Sequence, residues 1–220
     1  MQKVPKHARR GRRQPYHHGD LRVALVDSAA QVAAERGVTA LTLRETARRA
    51  GVSEAAPYHY FPDKSALIAA VAEEGFRRFD ASQASAAAGA GDDPVDRLVA
   101  LGASYIRFAL DRPHYFRVMF RPHLVEHAKY PSLNEVASRA FDRLVETVRA
   151  ARLSRGHDDP DPVLAATMIW GVPHGLAALY LDGPTAAWTT PRALEDIMQA
   201  ATMSLLDARL EDTHDSAWGV

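Results

Sequence analysis

Prolines and glycines divide most of this chain into helix-length segments. Pro113, Pro131, Pro162 and Pro191 each lie near the start of a segment whose apolar residues recur with helical spacing, and proline is favoured in the first turn of a helix. We find no convincing alternation of apolar and polar residues over the length of a strand. The sequence therefore predicts an all-α fold of about nine helices.

The predicted helices begin and end at residues with known capping preferences. Asp20 is expected to cap a first helix over 21–36 that ends at Gly37, and Thr42 a short second helix that ends before Gly51. The other predicted helices cover residues 53–60, 63–85, 94–110, 113–126, 133–154, 162–181 and 190–210. An Ala/Gly-rich stretch, residues 84–94, is expected to be a linker between domains.

Charge is distributed unevenly along the chain. Residues 1–65 hold 12 Lys and Arg against 6 Asp and Glu, although the whole chain holds 27 of each kind. A basic N-terminal third on an acidic remainder indicates a polyanionic partner at that end. Residues 1–19 contain Lys and Arg without acids and are predicted to be disordered. They are either a solubilising tail or an arm that reaches DNA.

Composition also excludes some classes of protein. The chain has no cysteine, which excludes disulfides and thiolate metal sites and fits the cytoplasm. Residues 162–181 carry no formal charge over a length that could cross a bilayer. Two prolines interrupt this run, and no Lys or Arg flanks it. We therefore expect a buried central helix and no membrane partner.

The segment that indicates a function is residues 42–64. Its two predicted short helices meet at a tight turn over residues 51–53, which is the spacing of a helix-turn-helix. Small residues at the start of the second helix, Ala55 and Ala56, would let it enter the major groove of DNA. The residues that follow combine aromatic or imidazole rings with polar tips suited to phosphates and sugars: Tyr58, His59 and Tyr60.

This pattern resembles the DNA-binding domain of the TetR family of transcriptional regulators. The resemblance covers about residues 20–70 and includes AAERG ending at Gly37, Thr42, the AGVS turn, Tyr58 and FPDK. The predicted DNA-binding residues are Thr42, Arg44, Ser53, Glu54, Ala55, Ala56, Tyr58, His59, Tyr60 and Lys64. The resemblance implies a dimer that binds double-stranded operator DNA.

Three residues depart from the family pattern. Thr46 stands where an apolar residue is usual, and Ala33 stands where a large aromatic is common. These two residues are expected to reduce the apolar packing in the core of the helix-turn-helix domain. Tyr60 replaces a frequent histidine, which is expected to alter one phosphate contact.

The C-terminal half contains a second, shorter resemblance. WGVPHG, residues 170–175, resembles the Trp…His-Gly signature of one TetR subgroup, and residues 114–120 suit the same subgroup. Trp170 and His174 share one helical face, and Pro173 is expected to disturb that helix. His174 is either part of a pocket wall or a hydrogen-bonded core residue. The candidate ligand-binding residues are Tyr105, Phe108, Tyr115, Phe116, Met119, Phe120, Trp170 and His174.

The resemblance also implies how two copies associate. Helices over about 162–181 and 190–210 would pair with those of a second copy across a two-fold axis. The predicted homodimer interface consists of Leu194, Ile197, Met198, Ala201 and Leu205. The predicted domains are a basic arm over 1–19, a helix-turn-helix domain over 20–70 with a connecting helix to about 85, a ligand-sensing and dimerisation domain over 86–211, and a tail over 212–220.

By resemblance, we expect a repressor that a small, largely apolar effector releases from a palindromic operator. A DNA-binding activator or a nucleoid-associated protein without a ligand would have the same fold. Residues 123–127 match the H-x-x-E-H motif of some zinc hydrolases, but five residues match easily by chance. We therefore expect no enzyme activity, no metal and no cofactor.

Overall fold

The computed structural model describes residues 18–120, 129–158 and 161–208 of the chain. Within these ranges the protein forms α-helices and short 3-10 helices without a strand, which confirms the predicted all-α class. The α-helices are α1 (His18–Arg36), α2 (Leu43–Ala50), α3 (Lys64–Gly89), α4 (Pro94–Asp111), α5 (Pro113–Met119), α6 (Pro131–Ser154), α7 (Pro162–Asp182) and α8 (Pro191–Leu206). The predicted basic arm, the H-x-x-E-H segment and the C-terminal tail lie outside the described residues.

Helix α2 is bounded by the two residues that the sequence indicated. The Thr42 hydroxyl accepts a hydrogen bond from the Glu45 N–H at 3.1 Å, which caps the first turn. Gly51 ends the helix with φ +69°, in the left-handed region that glycine adopts most readily. The tight turn into the next segment depends on that conformation.

The predicted second helix of the helix-turn-helix differs from the expectation. Instead of an α-helix over 53–60, the chain forms a 3-10 helix over Ala56–His59. Pro57 has no N–H and therefore cannot donate to the Ser53 carbonyl as an α-helix requires. The N–H of Ala56 donates to that carbonyl instead, at 3.0 Å, which tightens the turn.

Several predicted boundaries were also wrong. Helix α1 begins at His18, so Asp20 lies inside its first turn and not at the predicted position before the helix. Helix α3 continues through Gly89, so residues 84–89 are helical and only 90–93 connect α3 to α4. Alanine is the strongest helix former, which explains why the Ala-rich stretch extends the helix. Helix α5 ends at Met119, before the predicted end at residue 126.

The helix-turn-helix and the C-terminal helices share one hydrophobic core. Leu25 in α1, Leu41 and Leu67 lie in the same buried cluster as Tyr115 and Met119 of α5. Thr46, which departs from the family pattern, is fully buried, and its hydroxyl donates to the Thr42 carbonyl at 2.9 Å. The polar group is therefore satisfied where an apolar side chain is usual.

Helix α7 has one buried and one exposed face. Ala165, Ile169, Pro173 and Ala177 are among its buried residues, whereas Leu179 is 55% exposed. By length and composition α7 could cross a bilayer, and 28% of its most apolar window is buried in the chain. The expectation of a buried central helix therefore holds for one face alone. The helix continues unbroken through Pro173.

The predicted interface residues of α8 do not all face outwards. Leu194 and Met198 are almost completely buried against Ala103 and Ile106 of α4, so their assignment to the dimer interface was wrong. Their apolar spacing reflects packing inside one chain. Ile197 is 48% exposed. Ala201 and Leu205 are half-buried.

The C-terminal end of α8 is held by a buried arginine. Arg152 of α6 is 1% exposed. Its guanidinium donates to the carbonyls of Leu205, Leu206 and Ala208 at 2.9–3.0 Å. These are carbonyls that the end of a helix leaves without helical partners, and a cation there also complements the helix dipole.

We expect Arg152→Leu to lower the free energy of unfolding by about 2–3 kcal/mol, because several buried carbonyls would lose a charged donor. Arg149 lies on the same helix and is exposed, so Arg149→Leu serves as the control and should change stability by less than about 0.5 kcal/mol. Urea denaturation of both variants measures the difference. Equal small effects would show that Arg152 does not stabilise the end of α8.

Candidate functional site

The predicted DNA-binding residues form an exposed surface at one end of the molecule. Side chains of this surface are mostly exposed, and Tyr58 is 53% exposed. The exposed members are Thr42, Arg44, Ser53, Glu54, Ala55, Tyr58 and His59, and the half-buried members are Ala56, Tyr60 and Lys64. Arg44 and Glu54 form an ion pair at 3.5 Å that joins α2 to the segment after the turn.

Some of these residues also have structural partners. The Lys64 ammonium donates to the Thr39 carbonyl at 3.0 Å, which holds the start of α3 against the loop before α2. An ammonium carries three donors, so two remain for a phosphate. The Thr42 hydroxyl is occupied as the cap of α2.

Ion pairs offset much of the positive charge of α2. Arg49 pairs with Glu35, and Arg48 pairs with Glu45. The hydrogen bond from Arg48 lowers the pKa of Glu45 to about 2. Residues 21–65 contain six Lys and Arg against five Asp and Glu. Most of the net positive charge of the N-terminal third therefore comes from residues 1–19.

A second site is an apolar cavity of about 560 Å³ among helices α3 to α8. This volume lies in the range of small-molecule sites. Residues of six helices line it: Phe76, Phe79, Gln83, Leu98, Leu101, Gly102, Tyr105, Met119, Phe120, Ala137, Ala140, Phe141, Leu144, Ile169, Trp170, Pro173, His174 and Thr202.

A hydrogen-bonded cluster lies in the cavity wall. The Tyr105 hydroxyl lies 2.7 Å from Nδ1 of His174, and Nε1 of Trp170 donates to the same hydroxyl at 3.3 Å. The ring of Phe120 packs edge-on against His174, with 4.9 Å between the centroids. Burial lowers the pKa of His174 and raises the pKa of Tyr105. The two alternatives for His174 thus coexist, since it is hydrogen-bonded and also lines the cavity.

Five of the eight candidate ligand-binding residues line the cavity: Tyr105, Met119, Phe120, Trp170 and His174. Phe108, Tyr115 and Phe116 do not, and are buried in the surrounding core. Sequence reasoning missed the contributions of α3 and α6, including Phe76, Gln83 and Phe141. Gln83, a glutamine on an otherwise apolar helical face, was the signal in the sequence that could have indicated that α3 lines the cavity.

A polar junction connects the cavity wall to the helix-turn-helix. The Tyr115 hydroxyl on α5 donates to Oδ1 of Asp27 on α1 at 2.5 Å. Arg78 of α3 donates to the same oxygen at 3.0 Å, and its guanidinium lies 4.7 Å from the centroid of the Tyr115 ring. Burial and the Asp27 carboxylate raise the pKa of Tyr115. Three helices therefore meet at one carboxylate.

Comparison with known protein families matches both halves of the chain. Residues 25–71 match the model described as bacterial regulatory proteins of the tetR family. Residues 98–205 match a tetracycline repressor-like C-terminal domain. The chain belongs to the TetR family of bacterial regulatory proteins.

Individual relatives agree with this assignment. The transcriptional regulator BetI of Rhizobium meliloti is 39% identical over 90 residues, which are 40% of this chain and 44% of BetI. The match thus spans less than half of that relative. A Rhodococcus protein of unknown function is 30% identical, with a TM-score of 0.71 over 88% of this chain and 97% of the other.

A more distant structure agrees in fold. The fatty acid degradation regulator FadR of Bacillus halodurans is 20% identical, with a TM-score of 0.70 over 87% of this chain and 97% of FadR. These comparisons identify the TetR family and not the Trp…His-Gly subgroup, which therefore stays a prediction. TetR-family proteins are transcriptional regulators that bind operator DNA and form dimers.

Proposed function

We propose that this TetR-family protein is a repressor that binds a palindromic operator as a homodimer and releases it when a small, largely apolar effector occupies the cavity. The observation that carries this proposal is the position of α5. Met119 and Phe120, at its end, line the cavity, while Tyr115 on the same helix bonds to Asp27 of the helix-turn-helix. One short helix thus contacts the cavity and also α1, which packs against α2 of the DNA-binding domain.

Close packing of α3 against α5 supports a second route, through α3, by which the cavity could affect the DNA-binding surface. A Cβ atom built on Gly75 of α3 would lie 3.3 Å from both Met119 and Tyr115, so α3 and α5 are in tight contact. Helix α3 begins at Lys64 in the DNA-binding surface and contributes Phe76 and Phe79 to the cavity. An effector that displaces α5 would therefore move α3 and change the separation of the two DNA-binding surfaces.

The exposed face of α7 and α8 supports the homodimer. Val163, Met168 and Leu179 of α7 and Ile197 of α8 are large apolar residues at the surface. An exposed apolar patch of this kind marks a protein interface in a soluble protein. Pairing of these helices with a second copy would set two DNA-binding surfaces roughly 34 Å apart, one helical turn of DNA.

We expect Lys64→Ala to weaken operator binding and to reduce the slope of the logarithm of the binding constant against the logarithm of the salt concentration by about 1.8, since each protomer of the dimer would lose one phosphate contact. Tyr58→Phe removes a neutral hydroxyl, so it should weaken binding without changing the salt slope. Arg149→Ala, in the C-terminal half, is the control. Fluorescence anisotropy at several salt concentrations, with a duplex chosen by random-sequence selection, measures all three.

Unchanged affinity and salt slope in Lys64→Ala would contradict the assigned phosphate contact. A scrambled duplex separates the proposal from the alternative of a nucleoid-associated protein. A repressor with one operator binds the selected duplex more tightly than the scrambled one, whereas a nucleoid-associated protein binds both equally.

We expect Leu179→Asp and Ile197→Asp to convert the dimer to a folded monomer, because each would bury a carboxylate in an apolar interface. Val23 of α1 is 47% exposed, close to the value for Ile197, and Val23→Asp is the matched control that should stay dimeric. Sedimentation velocity at micromolar concentration measures the assembly state. If both α7 and α8 variants remained dimeric, the interface would lie elsewhere.

A further inference from the structure

The largely apolar wall of the cavity contains a hydrogen-bonded cluster of side chains. Among the described residues, no Asp, Glu, Lys or Arg lines it. Two of the polar side chains that do line it have partners elsewhere. The Gln83 amide donates to the Leu101 carbonyl at 3.2 Å, and the Thr202 hydroxyl lies 3.5 Å from Sδ of Met198. Gln83 keeps its Oε1 acceptor and a second N–H, and the other strong hydrogen-bonding groups of the wall belong to the cluster of Tyr105, Trp170 and His174.

The hydrogen bonds of this cluster determine which nitrogen of His174 carries the proton. The indole nitrogen of Trp170 can only donate, so the Tyr105 oxygen accepts from it. The Tyr105 hydroxyl has one proton, and Nδ1 of His174 is its acceptor at 2.7 Å. If Nδ1 donated instead, the buried hydroxyl would have no acceptor among the described residues, at a cost in free energy. Tyr105 therefore donates to Nδ1.

The remaining nitrogen of His174 is consequently a donor. A neutral imidazole whose Nδ1 accepts carries its proton on Nε2. Burial lowers the pKa of His174, which keeps the ring neutral near pH 7. Within the described part of the chain, Nε2 has no hydrogen-bond partner, and the ring lines the cavity. His174 therefore offers one N–H to a bound molecule.

We propose that the effector is an uncharged molecule with an apolar body and one hydrogen-bond acceptor oxygen, such as that of a ketone, ester or ether, which accepts from Nε2 of His174. The aromatic and aliphatic walls match the apolar body, and the N–H of His174 determines its orientation. An ionised carboxylate would lose its hydration without gaining a cationic partner, which is strongly unfavourable. This inference rests on the proposed function, because it concerns the same cavity.

Four matched probes test the inference on the full-length protein without DNA, by isothermal titration calorimetry. Benzophenone has one ketone oxygen, and diphenylmethane has the same rings without it. 4-Benzoylbenzoate adds a carboxylate, and (4-benzoylbenzyl)trimethylammonium adds a cation. We expect benzophenone to bind about 3- to 10-fold more tightly than diphenylmethane, as one neutral hydrogen bond allows. Both charged probes should bind at least about 100-fold more weakly than benzophenone.

Variants test the role of His174 directly. His174→Phe should bind benzophenone and diphenylmethane equally, because the N–H is lost while the aromatic ring is kept. Tyr105→Phe/His174→Phe removes both partners of the hydrogen bond, leaves no buried hydroxyl without an acceptor, and should give the same result if the single variant fails to fold. Thr167→Val is the control, because Thr167 lies on the same helix as His174, does not line the cavity and donates its hydroxyl to the Val163 carbonyl, and it should keep the preference for benzophenone.

The outcomes separate this inference from the proposed function. Equal binding of benzophenone and diphenylmethane to the wild type, no binding of benzophenone, or tighter binding of a charged probe would each overturn the inference. A preference for benzophenone that survives in both His174 variants would also overturn it. If the wild type prefers benzophenone over diphenylmethane and the His174 variants lose this preference, but benzophenone does not release operator DNA, the inference about the cavity stands. The proposed role of the protein as a ligand-released repressor is then contradicted.

Discussion

The structure depends most on the junction at Asp27, where α1, α3 and α5 meet. One carboxylate accepts hydrogen bonds from the Tyr115 hydroxyl and the Arg78 guanidinium. Apolar packing around this junction joins the helix-turn-helix to the C-terminal helices in one core. Because packed cores shift between discrete arrangements and do not deform continuously, we propose that a displacement of α5 moves α1 or α3.

The DNA-binding surface and the cavity differ in charge and polarity. Near the DNA-binding surface, Arg48 and Arg49 form ion pairs with Glu45 and Glu35. Residues 21–65 hold six Lys and Arg against five Asp and Glu, so their net charge is close to zero. Orientation on DNA would then come from the shape of the turn, Tyr58 and Lys64, while residues 1–19 supply most of the net positive charge. The cavity has no lining charge among the described residues and is built from the aromatic rings of α3 to α7. We therefore propose that its selectivity comes from its volume and from the N–H of His174.

The sequence predicted the all-α class, most helices and the helix-turn-helix, because capping residues and prolines act locally. The prediction from sequence was wrong where one local preference of the chain was outweighed by another. Pro57 converts the second helix to a 3-10 turn, and the helix propensity of alanine outweighs the linker composition before Gly89. Leu194 and Met198 show a further limit, because an apolar helical face is the same in sequence whether it packs inside one chain or against a second. The cavity walls of α3 and α6 follow from tertiary packing, which spacing along the chain does not encode.

The central claim is that the cavity and the DNA-binding surface are coupled, and coupling between two binding sites is reciprocal. The most direct test is the affinity of benzophenone for the full-length protein, measured with and without saturating operator duplex. The account predicts weaker benzophenone binding in the presence of DNA, by the same factor by which benzophenone weakens DNA binding, typically about 5- to 150-fold. Equal benzophenone affinity in the two measurements would contradict the account.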